Sequence, residues 1–172
     1  MTRETLTLSF RFLILLLVQV FVLNNIQLFG HLNPMLYILF VILYPLKKER
    51  ANFMWASFFL GLSIDFFSNS GGINAAATLA IAYFRLPILK LIINRPDIDY
   101  TVFKINQEPF IKVILYTCIL TFLHHFVVFS LEYFSWNSFI PVLKKSINTS
   151  VFTILLSTLY LLFFRKNSKS NF

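Results

Sequence analysis

The chain has 172 residues, of which 58% are hydrophobic and 18% aromatic, and it carries a net charge of +8. So much apolar side chain cannot be hidden inside a soluble core of this size, and the scarcity of Gly, Pro and charge excludes disordered, collagen-like and linker proteins. The composition is that of a membrane protein, and its basic residues, dispersed between apolar runs, read as topology determinants rather than as a nucleic-acid surface.

A helix rises about 1.5 Å per residue, so a hydrocarbon core of about 30 Å takes about 20 mostly apolar residues. That ruler predicts an all-α, polytopic membrane protein of about six transmembrane helices forming one integral membrane domain, 1–172. The first, 8–28, follows Arg3 and includes Arg11 and Gln19; without a small-residue cleavage site it reads as a retained helix rather than a removed signal peptide. The second, 32–46, opens at Asn33 and Pro34, a cap and a first helical position, and is short. The third, 53–67, is also short, so that helices two and three are expected to tilt, to thin the bilayer or to stop short of spanning. The fourth is expected at 74–93, the fifth at 110–134 and the sixth at 147–164.

Basic residues mark alternate connections. Lys47, Lys48 and Arg50 precede helix three, Arg95, Lys104 and Lys112 surround the connection from four to five, and Arg165, Lys166 and Lys169 follow helix six. By the positive-inside rule this alternation puts both termini in the cytoplasm. Lys144 and Lys145 fall on the other side, so 138–146 reads either as an interfacial segment, with Trp136 and Phe139 at headgroup level, or as lysines that snorkel from the start of helix six. The polar connection 94–109 carries Asp97, Asp99 and Glu108 without metal-ligand spacing or a phosphate cradle, and reads as a solvated loop.

Asp65 stands out because an acid within an apolar helix is costly and needs a partner. Ser57, Gly61 and Asp65 recur every four residues on helix three, while Asn74, Thr78 and Ala82 do so on helix four, giving two small, polar faces that can approach closely. Between them "SNSGG", Ser68 to Gly72, can take positive φ and reverse the chain, which brings Asp65 within reach of the amides that open helix four. Asp65 is therefore expected to clamp a helical hairpin, with a proton or ion site as the functional alternative.

His124 and His125 invite a metal reading, but neighbours on a helix point about 100° apart and no further ligand stands three or four residues away. No G-x-S-x-G is present, the lone Cys118 forms no intramolecular disulfide, and no catalytic, cofactor-binding or metal-binding set emerges. A protein of this kind acts by binding. Gln19, Asn74, Thr78 and His124 are the residues that would line a central cavity if one were present.

The block "GLSIDFFSNSGGINAAATLAIAYFR", with its G-x-x-x-D followed by G-x-N-A, the proline-started second helix and the basic loop after it, resembles the MreD family of bacterial rod shape-determining membrane proteins. The resemblance covers 34–85 in motif, and its site positions are Gly61, Asp65, Gly71, Gly72 and Asn74. It implies a non-catalytic scaffold in the bacterial cytoplasmic membrane that supports peptidoglycan synthesis and cell shape. The partners it implies are MreC, a single-span coiled-coil protein, and indirectly MreB, RodA and a penicillin-binding transpeptidase. The fold it implies is similar to the substrate-binding subunit of energy-coupling-factor vitamin transporters, and a transporter subunit of that type is the alternative function.

Overall fold

The computed structural model describes residues 3–26, 32–46, 50–94, 103, 105–134 and 139–164. Among these every regular element is helical. The expected features at His31, Lys47, Lys48, Arg95, Asp97, Asp99, Lys104, Trp136, Arg165, Lys166 and Lys169 lie outside the described residues.

Helix α1 (Arg3–Leu17) continues through a π turn, Val18–Val22, and a 3₁₀ turn, Leu23–Asn25. Helix α2 is Ile38–Leu43, α3 is Ala51–Ser68 and α4 is Ile73–Ile93. A 3₁₀ turn, Ile105–Gln107, leads into α5 (Phe110–Tyr133), and α6 is Phe139–Phe164. Helices α4 and α5 fall within a residue of their expected limits. Among the described residues four stretches are long and apolar enough to cross a membrane: Arg3–Asn25, Ile73–Ile93, Phe110–Tyr133 and Phe139–Phe163.

Four of the six expected crossings meet that measure; the second and third helices do not, and the larger difference is at the second. Of the expected 32–46 only the six residues of α2 are α-helical, roughly 9 Å at about 1.5 Å per residue. Two prolines bound it. Pro34 lies in the irregular approach, and Tyr44, immediately before Pro45, is forced into an extended conformation (φ −62°, ψ 135°) that ends the helix. Helix α3, with 18 residues, extends the expected 53–67 by a residue or two at each end. Helix α6 begins eight residues before the expected 147, so Lys144 and Lys145 are helical rather than part of a separate interfacial segment. The Lys145 ammonium pairs with Glu132 of α5 at 3.1 Å and lies over the Phe129 and Tyr133 rings.

Helix α3 packs along α4, α4 along α5 and α5 along α6, while α2 touches α1, α4 and α5. Every residue from Tyr37 to Ile42 is at most 2% exposed, so the shortest helix is the centre of the core. Around it the usual soluble pattern is inverted. Phe66, Leu91, Phe134 and Phe163 are 80% or more exposed, whereas Ser57, Thr78, Thr117, Thr121, His124, His125, Thr153 and Ser157 are fully buried. Large apolar side chains outside and hydroxyls and imidazoles inside suit a hydrocarbon surround, where lipid replaces the solvent and helices associate through small residues and hydrogen bonds. The molecule has the architecture of a multi-pass membrane protein.

The tightest approach is between α3 and α4. A Cβ at Gly61 would stand 2.3 Å from Thr78 Oγ1, 2.5 Å from the Asn74 carbonyl oxygen and 2.6 Å from Ala75 Cα, two of which are backbone atoms that cannot rotate away. Gly61→Leu should therefore cost more than the about 1–3 kcal/mol of ordinary overpacking. The expected result is a loss of monodisperse protein and a lower melting temperature in detergent size-exclusion assays; unchanged behaviour would contradict the packing.

Candidate functional site

Helix α4 opens at Gly72, which has φ +92° and no side chain to cap the amides that follow. Asp65, one turn before the end of α3, supplies the cap from across the turn. Its Oδ1 accepts from the Asn74 backbone N–H at 2.9 Å, and Oδ2 accepts from the Ala75 N–H at 2.8 Å, the donors a capping side chain ordinarily serves. Oδ1 also accepts from Asn74 Nδ2 at 2.9 Å and from the Ser70 hydroxyl. Every neighbour in this set donates, and the positive end of the α4 dipole adds to the attraction, so both oxygens of a side chain that is only 4% exposed are satisfied.

The turn makes this geometry possible. Asn69 at φ +53° and Gly71 at φ +66° take the left-handed conformation, while the Asp65 carbonyl accepts from Asn69 and Ser70 backbone N–H groups. Gly71 has nothing near its missing Cβ, so its backbone conformation rather than space favours glycine there. All five residues of the sequence block, Gly61, Asp65, Gly71, Gly72 and Asn74, thus belong to one hairpin. A side-chain bond from Asn24 to Ser68, 2.9 Å, ties the end of the α1 stretch to it.

Asn74 links this clamp to the interior. Its amide donates to Asp65 and, at 3.0 Å, to Ser70 Oγ, which leaves Oδ1 to accept from the Tyr37 hydroxyl at 2.7 Å. Tyr37 also meets His124 Nε2 at 3.1 Å; His124 and His125 approach through their Nδ1 atoms at 3.5 Å; and His125 Nε2 lies 3.0 Å from Thr153 Oγ1 of α6. The expectation that adjacent histidines diverge is corrected here. One nitrogen of each ring lies 3.5 Å from the other, with the ring centroids 5.5 Å apart.

The ends of α2 are served by side chains from other helices. Gln19, placed inward by the π turn, donates to the Pro34 carbonyl at 3.0 Å and accepts from the Leu36 N–H at 2.9 Å, while the Met35 N–H donates to Thr153 Oγ1 at 3.1 Å. At the other end Arg11 donates to the Leu43 carbonyl at 3.1 Å. Arg85 of α4 is 2% exposed; it donates to the carbonyls of Ile42 and Tyr44 and to the Tyr116 hydroxyl, and its guanidinium stacks 4.9 Å from the Phe53 ring centre. Of the groups in these networks the sequence marked Gln19, Asn74, His124 and His125; Tyr37, Arg85, Tyr116 and Thr153 carried no spacing signal that separates them from ordinary helix residues.

The chain matches no protein-family model, no curated protein and no solved structure.

Asp65→Asn keeps one acceptor for the Oδ1 donors but turns an amide toward the Ala75 N–H, and should cost about 1–3 kcal/mol of stability. Asp65→Leu leaves all four donors unpaired and should cost more, with less folded protein recovered. Equal damage from both, at equal protein levels, would show that charge rather than hydrogen bonding is what matters. Arg85→Lys retains the charge but loses the planar fork that reaches two carbonyls and a phenol, and should lower the melting temperature nearly as far as Arg85→Leu. Full retention of stability in the lysine variant would refute that role.

Proposed function

We propose that this protein is a non-catalytic integral scaffold of the bacterial cell-wall elongation machinery, of the MreD kind, seated in the cytoplasmic membrane with both termini in the cytoplasm. The observation that carries the reading is that the block resembling that family, 61–75, builds the most constrained unit of the fold, the Asp65-capped hairpin of α3 and α4. Its polar side chains are engaged with one another and with backbone, while the outward faces of the helices are apolar. That division suits a protein that holds a partner's transmembrane helix, and the partner proposed is an MreC-like single-span coiled-coil protein, with MreB, RodA and a penicillin-binding transpeptidase associated through it. In this reading the chain keeps a six-helix plan in which α2 is an incomplete span and α3, at about 27 Å, crosses with local thinning or little tilt.

A second reading, a substrate-binding subunit of an energy-coupling-factor type transporter, is favoured by the convergence of Tyr37, Asn74, His124, His125 and Thr153 from three helices and the approach to α2. Against it, those groups bond to each other rather than facing an open ligand site.

Affinity purification of tagged protein from native membranes in mild detergent separates the two. The scaffold reading expects stoichiometric recovery of a single-span coiled-coil protein and wall-synthesis enzymes, relative to an unrelated polytopic control. Recovery of a transmembrane coupling subunit with paired ATPases would overturn it in favour of transport.

A further inference from the structure

Two exposed polar side chains of α6 have no use within the fold. Lys145 is paired with Glu132 and rests on the Phe129 and Tyr133 rings. Its neighbour Lys144 is exposed, and so is Asn148 one turn further on; among the described residues no ion pair or side-chain hydrogen bond reaches either of them. At 3.6 residues per turn Lys144, Asn148, Val151, Leu155 and Leu162 fall within a sector of about 60°, a single exposed stripe along the helix.

The length of α6 sets the depth of this stripe. Its 26 residues measure about 39 Å, more than the about 30 Å of hydrocarbon. Arg165 and Lys166 follow Phe164 in the sequence and hold that end at the headgroups. About 20 residues of hydrocarbon counted back from there end near Lys145. Lys144 thus stands at the opposite headgroup boundary, and Asn148 lies about 6 Å further in, four residues at about 1.5 Å each. Among the described residues Asn148 is the only exposed amide or charged side chain more than two turns from an end of the four membrane-length stretches. An amide at that depth is costly unless something in the surround accepts its hydrogens.

We propose that this end of α6 binds one anionic phospholipid: the Lys144 ammonium meets the headgroup phosphate, the Asn148 amide donates to an ester carbonyl, and an acyl chain lies along Val151, Leu155 and Leu162. The order along the stripe, a cation, then a donor, then exposed apolar side chains, is the order of phosphate, ester and chain in such a lipid. The glycerol unit that separates phosphate from ester spans a distance comparable to the one helical turn between the two residues. Lys144 favours an anionic lipid over a zwitterionic one, whose phosphate is already neutralised by its own headgroup. A partner's helix would give no reason for the polar groups to gather at one end of the stripe. The proposal goes beyond the scaffold reading and does not depend on it.

The test is native mass spectrometry of the intact protein in mild detergent, titrated with dioleoyl phosphatidylglycerol, its ether-linked analogue and dioleoyl phosphatidylcholine. The expected result is one saturable phosphatidylglycerol adduct, held about fivefold more tightly than either of the other lipids. Lys144→Gln should remove the preference over phosphatidylcholine, and Asn148→Leu the preference over the ether lipid, which has no carbonyl to accept from the amide. Lys90→Gln, near the end of α4 on the opposite side of the bundle, should change neither. Equal affinity for the three lipids, or a loss in Lys90→Gln as large as in Lys144→Gln, would overturn the proposal. A photocrosslinker at position 148 that captures a discrete protein rather than lipid in native membranes would overturn it in favour of a partner's helix.

Discussion

A six-residue helix buried in a membrane domain has almost no internal way to satisfy its backbone. Its first N–H groups and last C=O groups have no intrahelical partner, and hydrocarbon offers no water in their place. Helix α2 meets that constraint by drawing polar side chains from its neighbours: Gln19 and Thr153 on the approach, Arg11 and Arg85 at the exit. Much else in the structure follows. The π turn in the α1 stretch swings Gln19 inward, Arg85 is tolerated at 2% exposure because backbone carbonyls and a phenol receive it, and Thr153 stands where two elements meet.

The Asp65 clamp obeys the same rule at a different helix end. Helix α4 starts at a glycine that cannot cap it, and the acid of the preceding helix does so instead. Asn74 belongs to both systems, since one side of its amide is held by Asp65 and the other receives Tyr37 at the entrance to α2. The hairpin and the entrance to the short central helix are therefore joined by hydrogen bonds through Asn74. The outward faces, rich in Phe and Leu, are left to lipid or to a partner's helix.

Parts of this were legible in the sequence because they depend on local spacing. Ser57, Gly61 and Asp65 share a face by four-residue periodicity, the glycines after them mark a reversal, and an acid in an apolar helix requires donors. The structure places those donors at the start of α4. The limits of α4 and α5 were equally readable, since long apolar runs ending at Asn94, Pro109 and Phe134 leave little choice. The second helix was not. Hydropathy counts 32–46 as a membrane segment, but hydropathy records only that a residue avoids water, and lipid and protein interior are alike in that respect.

The sequence by itself determined the medium, the helical class, the close α3–α4 approach and the cap on α4, because composition and short-range periodicity act within one or two neighbouring elements. Only the tertiary structure decided that α2 is a short buried helix, and that Arg85, Arg11 and Thr153 serve it. Only the fold, too, turned two histidines toward one another. Those outcomes rest on contacts between residues 31 to 118 positions apart, and on side-chain torsions set by packing, neither of which leaves a period in the chain.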